Sequence, residues 1–237
     1  MTEQIKVFKE KENYTLADIR ELVEILRSKD GCAWDREQTH KSVRNAMIEE
    51  TYEFIEGLDK NDETLMKEEL GDVMFQVFFH ARIAEEEGSF NIDDIADEIC
   101  KKMVLRHPHV FGDVSVKDSG EVLKNWETIK KAEKSRDTLE KQLESVSSAL
   151  PSLIRAEKLF SRCKKEGVAV ERDPEKLIRN ITEKAAALTP NADSAQIGDL
   201  LFAVTNLSYA LKINSEQALY EKNDRFIKET TKNEEQK

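Results

Sequence analysis

The sequence is poor in the residues that interrupt helices, with 8 glycines and 4 prolines in 237 residues. Long stretches instead repeat apolar residues at helical spacing, and no stretch alternates in the manner of a strand. The three cysteines, Cys32, Cys100 and Cys163, lie far apart and form no CxxC pair. This spacing argues against a disulfide framework and a zinc site, and it favours a reducing compartment. We therefore predict an all-α protein of the cytoplasm.

Long apolar runs are also missing. No run approaches the roughly 20 apolar residues that a membrane span requires, and the first residues, MTEQIKVFKEKEN, are charged. These features predict a soluble, unexported protein with no membrane partner. The net charge of −11 argues against nucleic acid as a partner, although small anionic substrates remain possible if cations neutralise their site.

What the chain does contain is two acidic clusters on predicted helices, one in MIEETYEFIEGL and one in LMKEELGDVMFQ. Residues three apart share a helix face, so each cluster presents a pair of carboxylates. The pairs are Glu50 with Glu53 and Glu69 with Asp72, flanked by Glu49 and Glu68. If the helices pack together, these like charges must take up protons or hold cations. Carboxylate oxygens without nearby Cys or His favour Mg²⁺ or Mn²⁺, and hence phosphate chemistry.

The alternative is that these acids form the solvated face of two amphipathic helices in an acidic chain. Two features favour a site. The pairs match in spacing, and the second pair flanks Gly71. A glycine inside a helix costs about 1 kcal/mol, which suggests that another group approaches its backbone closely.

Capping residues and glycines predict the helix boundaries. The first acidic helix begins near Ser42 and ends near Gly57, and a short turn makes the second helix antiparallel to it. The other predicted boundaries are caps at Thr15, Asp62, Asn91 and Asp118, a C-terminal glycine at Gly88, and an end before Pro108.

Two cationic pairs accompany the clusters. Lys102 and Arg106, one turn apart at a helix end, could hold a phosphate or complement the helix C-terminus. Trp126 and Lys130 share a helix face and would suit a base and its phosphates, or ordinary packing. Two further residues carry open alternatives: Trp34 could cover the core or contact a ligand, and His80 is favoured as a packed or half-exposed histidine over a ligand.

The second half repeats the first in a degenerate form. AQIGDLLFAVTNLSYAL resembles EELGDVMFQVFFHARI, and NITEKAAAL resembles MIEETYEFI. In this register Glu183 corresponds to Glu50, but Ala186 and Gln196 replace Glu53 and Glu69. We predict an active copy in residues 1–134, a linker in 135–149 and a structural, truncated copy in 150–237.

Five blocks in order, GCAWDREQTH, IEETYEFIEGL, EELGDVMFQVFFHARI, RHPHVFGD and NWETIKKAEK, resemble the MazG family of nucleoside triphosphate pyrophosphohydrolases. The resemblance runs from about Leu16 to Lys134. It implies an antiparallel helical bundle that two subunits complete as a homodimer. It also implies site residues. Glu50, Glu53, Glu69 and Asp72 would hold Mg²⁺. The catalytic acids would be Glu49, Glu50 and Glu53, with Glu49 either supporting the metal ligands or activating water. The nucleotide would be bound by Lys102, Arg106, Trp126 and Lys130.

The reaction implied is hydrolysis of a nucleoside triphosphate between the α and β phosphates, which yields a monophosphate and pyrophosphate. Its expected role is clearing unwanted nucleotides from the pool. Two rivals stay open: a narrower dUTPase-like or phosphoribosyl-ATP pyrophosphohydrolase activity, and a helical regulator without enzymatic activity.

Overall fold

The computed structural model describes residues 3–133 and 138–234, and every regular element in these ranges is an α-helix, so the all-α prediction is confirmed. None of the described helices is long and apolar enough to cross a membrane. The helices are α1 Glu3–Lys9, α2 Leu16–Arg27, α3 Ala33–Glu37, α4 Arg44–Lys60, α5 Glu63–Glu86, α6 Ile92–Arg106, α7 Pro108–Phe111, α8 Ser119–Glu133, α9 Leu139–Glu144, α10 Ser152–Lys165, α11 Pro174–Ala186, α12 Ser194–Leu211 and α13 Ser215–Glu234.

The chain divides into two compact units, Met1–Val122 and Leu123–Lys237. The boundary falls inside α8, earlier than the predicted end of the first domain. Residues 134–137 of the predicted domain end and linker lie outside the described residues. The part of the linker that is described contains α9, which packs on α10. The division into an active copy, a linker and a second copy stays a prediction.

The first unit is built on the α4–α5 hairpin, whose helices make its most extensive contact. A two-residue turn joins them. Asn61 adopts the left-handed conformation with φ 52°, and its N–H donates to the carbonyls of Gly57 and Leu58. Asp62 then caps α5 by accepting from the backbone N–H groups of Thr64 and Leu65.

The sequence suggested that α4 ends near Gly57, but the helix continues to Lys60. Gly57 is buried against α5, where an added Cβ would lie 3.0 Å from both the Cγ and the backbone nitrogen of Met66. This glycine therefore permits the close approach of the two helices. The predicted caps at Thr15 and Asn91, the positive φ at Gly88 and the end of α6 before Pro108 are confirmed.

A small core connects α2 to the hairpin. Its buried members are Val23, Val43, Phe79 and Ile83, and Phe75 and Phe78 pack against them. Arg27 fixes the edge of this core. Its side chain is only 5% exposed, its Nη2 lies 2.7 Å from Oε2 of Glu86, and its guanidinium lies 5.2 Å from the ring centroid of Phe79.

The second unit is organised around α10, which contacts α9, α12 and α13. Phe160 of α10 is buried, and its ring centroid lies 4.6 Å from that of Phe202 on α12. Helices α11 and α12 pack as a second hairpin. This hairpin corresponds in sequence to α4 and α5, although common descent of the two stays a prediction.

Candidate metal centre

Three of the four predicted metal ligands converge between α4 and α5. Glu50 from α4 and Glu69 and Asp72 from α5 each present a carboxylate oxygen, and these oxygens all lie within 4.8 Å of one another. Glu69 and Asp72 share a face because they are three residues apart on one helix. The close packing at Gly57 brings the opposing helix near enough for Glu50 to join them.

The three carboxylates differ in exposure. Glu69 is buried at 6% exposure, Glu50 is half-buried, and Asp72 is exposed. Within the part of the chain that is described, the Oε2 atom of Glu69 is buried without a hydrogen-bond partner. A buried carboxylate oxygen without a donor is costly. The cluster is therefore open to solvent at Asp72 and buried at Glu69, where a cation or a proton would compensate the unpartnered oxygen.

The electrostatics of the cluster point the same way. Burial, and then the negative charges of Glu53, Asp72, Glu50 and Glu68, raise the pKa of Glu69 above its ordinary value. Burial is also the main cause of the raised pKa of Glu50, and the charges of Asp72, Glu53 and Glu49 add to it. Carboxylates that resist ionisation together favour a compensating positive charge.

Gln76 also lies at the cluster, although the acidic pattern does not predict it. It is buried, and its side-chain amide lies near enough to Glu50 to oppose the rise in the pKa of that carboxyl. Its Oε1 atom is buried without a partner among the described residues. In the sequence, its place near the cluster is indicated by its position one turn after Asp72 on α5.

The remaining acids lie at the margin. Glu53 and Glu49 are exposed, and Glu53 lies outside the group of three oxygens, although its charge acts on both Glu50 and Glu69. Its role as a ligand stays a prediction. The expected close approach to Gly71 is wrong within this chain, because an added Cβ there would have nothing within 4 Å.

The predicted phosphate ligands fall into two groups. Lys102 and Arg106 lie on α6, which packs on α5. The Nζ of Lys102 lies 3.9 Å from Oε1 of Glu98, and Arg106 is buried. Trp126 and Lys130 belong to the second unit, where the Nζ of Lys130 lies 4.7 Å from the ring centroid of Trp126. Their binding roles stay predictions.

The two residues with open alternatives are now placed. Trp34 is 63% exposed on α3, so it does not cover the core of the first unit. His80 is half-buried, as expected. Its Nδ1 lies 2.8 Å from Nδ1 of His40, and burial followed by the charge of His40 lowers the pKa of His80.

The second hairpin has an ion pair at the position that corresponds in sequence to the candidate metal centre. Asp199, which corresponds to Asp72, lies 3.1 Å from the Nζ of Lys184 on α11. Glu183 and Gln196 are exposed. In residues 3–133 and 138–234, the carboxylates suited to a metal form one group, and it lies in the first hairpin.

Residues 38–111 match the model of the MazG nucleotide pyrophosphohydrolase domain. These residues include α4, α5 and all three converging carboxylates.

Curated relatives are similar over most of the chain. The nucleoside triphosphate pyrophosphohydrolase/pyrophosphatase MazG of Thermotoga maritima is 39% identical over 218 residues, which cover 90% of this chain and 83% of that protein. The nucleoside triphosphate pyrophosphohydrolase of Escherichia coli K12 is 38% identical over 205 residues, 83% of this chain and 78% of that protein. The uncharacterized protein YabN of Bacillus subtilis is 42% identical over 235 residues, and the chain spans 48% of its length.

Proposed function

The chain belongs to the MazG nucleotide pyrophosphohydrolase family, and from this premise we propose that it hydrolyses nucleoside triphosphates between the α and β phosphates to a nucleoside monophosphate and pyrophosphate. The observation that carries the proposal is the convergence of Glu50, Glu69 and Asp72, with one oxygen of Glu69 buried and unpartnered among the described residues.

The residues present fit a hard divalent cation. All three converging donors are carboxylate oxygens, and burial and mutual repulsion raise the pKa values of Glu50 and Glu69. Oxygen-only donor sets favour Mg²⁺, with Mn²⁺ as a substitute. In the proposed site Glu50, Glu69 and Asp72 hold the ion, and Glu53 joins them as the fourth ligand.

A bound Mg²⁺ would neutralise charge on the phosphates and acidify a water molecule. The protein groups have separate tasks. Glu49, exposed beside Glu50 on α4, accepts the proton of the attacking water. Gln76 donates to Glu50 and holds its carboxylate in position. Lys102 and Arg106 on α6 stabilise the phosphates, and Trp126 and Lys130 bind the nucleotide.

We also propose that the active form is a homodimer. The hairpin leaves several large apolar side chains at least about one third exposed, and a second copy would cover them. On α4 and α5 these are Ile48, Tyr52, Ile55, Leu58, Leu70 and Met74. The second unit is proposed to be structural, because Lys184 already neutralises Asp199 where the first hairpin offers a cation site. The cellular role proposed is removal of unwanted nucleotides in the cytoplasm.

Product analysis tests the activity. Purified protein is incubated with the canonical triphosphates, dUTP and phosphoribosyl-ATP, with Mg²⁺ or with EDTA, and products are separated by anion-exchange chromatography. We expect monophosphate and pyrophosphate in equal amounts, no reaction in EDTA, and at least about a hundredfold loss of rate for Glu69→Gln. Asp199→Asn is the matched control and should retain the rate.

The outcomes separate the rivals. Release of orthophosphate in place of pyrophosphate would contradict the proposed bond cleavage. Turnover confined to dUTP or phosphoribosyl-ATP would establish the narrower activity. Absence of both turnover and Mg²⁺ binding by calorimetry would leave a helical regulator.

A further inference from the structure

His40 and His80 join two parts of the first unit that are 40 residues apart in the chain. His40 lies in the segment 38–43 between α3 and α4, and His80 lies on α5. Their Nδ1 atoms are 2.8 Å apart, whereas the ring centroids are 5.1 Å apart and the ring planes differ by only 5°. The two nitrogens therefore point towards each other, in the geometry of a hydrogen bond.

This bond can hold only certain numbers of protons. A neutral imidazole has one N–H group and one acceptor nitrogen, whereas an imidazolium has two N–H groups and no acceptor. The bond is therefore satisfied when both rings are neutral or when one ring is charged. It is broken when both rings are charged, so the pair accepts one extra proton and not two.

The surrounding charges favour the first of these protons over the second. The Nε2 of His40 lies 3.9 Å from Oε2 of Glu87, so a positive charge on His40 faces a carboxylate. Burial, and then the charge of His40, lower the pKa of His80. Lys41 and Arg44 lie close to His40 in the chain and oppose a second charge. Charged side chains of α2, α5 and α6 form ion pairs with one another, namely Arg20 with Asp93, Arg27 and Arg82 with Glu86, Lys101 with Asp97, and Lys102 with Glu98.

The segment 38–43 has few other bonds to hold it on α5. Its turn is closed by bonds between its own residues, such as the donation from the Val43 N–H to the carbonyl of Thr39. Arg27 of α2 donates to the carbonyl of Gln38. Among the hydrogen bonds of residues 38–43 that the structure describes, the one between His40 and His80 alone reaches α5.

This segment precedes the helix that carries Glu50. Val43 is buried in the same core as Phe79, the neighbour of His80 on α5. Val43, Glu50 and Gly57 follow one another at intervals of seven residues, or two helical turns, so they share one face of α4. The close packing at Gly57 fixes one end of this face on α5, the segment 38–43 fixes the other, and Glu50 lies midway.

We propose that His40 and His80 are positioning residues for Glu50, and that their hydrogen bond opens when both rings are charged. Opening releases the segment 38–43 from α5, frees the first turns of α4 and moves Glu50 away from Glu69 and Asp72. Acidification thereby loosens the metal centre through the two histidines. The consequence for Mg²⁺ rests on the proposed function, whereas the opening itself does not.

Nitrogen NMR of the histidine rings in EDTA tests the bond. The chain has four histidines, and His107 is an internal reference, because its Nδ1 lies 2.7 Å from the carbonyl oxygen of Met103 and must donate to it. At about pH 8, where the rings are neutral, we expect one ring of the pair to be protonated at Nδ1 and the other at Nε2. On acidification the pair should titrate in two steps at least about one pH unit apart. Spectra of His40→Gln and His80→Gln assign the signals.

Hydrogen exchange in EDTA measures the opening. His80→Gln keeps the bond at every pH, because an amide can donate to a neutral His40 or accept from a charged one. For the backbone amides of residues 38–50, the unaltered protein should exchange as His80→Gln does at about pH 7.5 and about tenfold faster than His80→Gln at about pH 5, since one pH unit of excluded protonation is a factor of ten. His107→Gln is the matched control. It also removes one titrating ring, and it should exchange in these residues as the unaltered protein does.

Calorimetry extends the test to the metal centre. Between about pH 7.5 and about pH 5, the affinity for Mg²⁺ should fall about tenfold more in the unaltered protein than in His80→Gln. Protonation of the carboxylates lowers the affinity of both proteins, so it cancels in the comparison.

Four results would overturn the proposal: protonation of both rings of the pair at Nε2 in the neutral protein, independent single-step titration of the two rings, equal exchange of the unaltered protein and His80→Gln at the lower pH, or an equal fall in their Mg²⁺ affinities. Failure of the proposed function would appear as absence of Mg²⁺ binding at either pH. The ring titrations and the exchange rates would then still decide whether the pair holds α4 in position.

Discussion

The same substitution at two glycines of the first hairpin should have different effects on stability. Gly57→Ala and Gly71→Ala both replace a helical glycine, which alone stabilises the folded state by about 1 kcal/mol. At Gly71 nothing lies within 4 Å of the added Cβ, so the full gain should appear. For a chain of this size it should raise the Tm by about 2–4 °C.

At Gly57 the added Cβ meets Met66 at 3.0 Å. The side chain of Met66 can rotate away, but its backbone nitrogen is at the same distance and can move only with α5. Overpacking of this kind costs about 1–3 kcal/mol. Set against the gain in helix propensity, Gly57→Ala should change the free energy of unfolding by between about zero and about −2 kcal/mol. It should therefore be less stable than Gly71→Ala by about 1–3 kcal/mol.

Urea denaturation in EDTA measures this difference. Equal stabilities for the two variants would refute the idea that Gly57 sets the distance between α4 and α5. A loss of stability in Gly71→Ala would show that a group outside this chain, such as a second copy, lies against this glycine.

The same pair of variants reports on the metal centre. Met66 lies one turn before Glu69 on α5, so a wider hairpin at Met66 separates Glu69 from Glu50. We expect the rise in Tm on adding Mg²⁺ to be smaller in Gly57→Ala than in Gly71→Ala. An equal rise would show that the cluster tolerates a wider hairpin.

Three further substitutions test the electrostatics. Because burial and neighbouring charges raise the pKa of Glu69 above 4.5, the metal-free protein should lose stability as pH rises above this value through the folded-state pKa. Glu69→Gln should reduce this loss of stability above pH 4.5, measured by thermal denaturation, and an unchanged loss would contradict the assignment. Arg27→Gln should lower the free energy of unfolding by about 2–3 kcal/mol in urea, because it leaves Glu86 with only its partner Arg82; a change under about 1 kcal/mol would show that the pair is replaceable. Lys184→Ala should leave pyrophosphate release unchanged, and a lower rate would give the second unit a catalytic role.

The helix class and the convergence of three acids followed from local patterns. Acids three residues apart must share a helix face. Asp62 and Asn91 cap α5 and α6 because their side chains accept from backbone N–H groups in the first turn of each helix. Such rules involve residues close in sequence. The pairing of Glu50 with Glu69 required one further step, a turn short enough to make the two helices antiparallel.

The errors arose where distant residues decide the outcome. Gly57 was interpreted as a helix end, because a sequence cannot distinguish a glycine that stops a helix from one that admits a neighbouring helix. Gln76 was missed because an amide gains its role from burial beside Glu50. Arg162 and Lys165 of α10 have the pattern of a solvated face, and only the structure shows that they share a cavity with Trp126 of α8.

The ion pair between Lys184 and Asp199 has a consequence for the response to magnesium supply. A lysine is attached to the backbone, so its charge cannot be diluted, exchanged or removed by a chelator. In the proposed function the first hairpin takes its positive charge from a dissolved ion, whereas the second hairpin has a lysine of its own. If the proposed site holds magnesium, depletion of the ion would destabilise the first hairpin and leave the second, with its own lysine, unchanged.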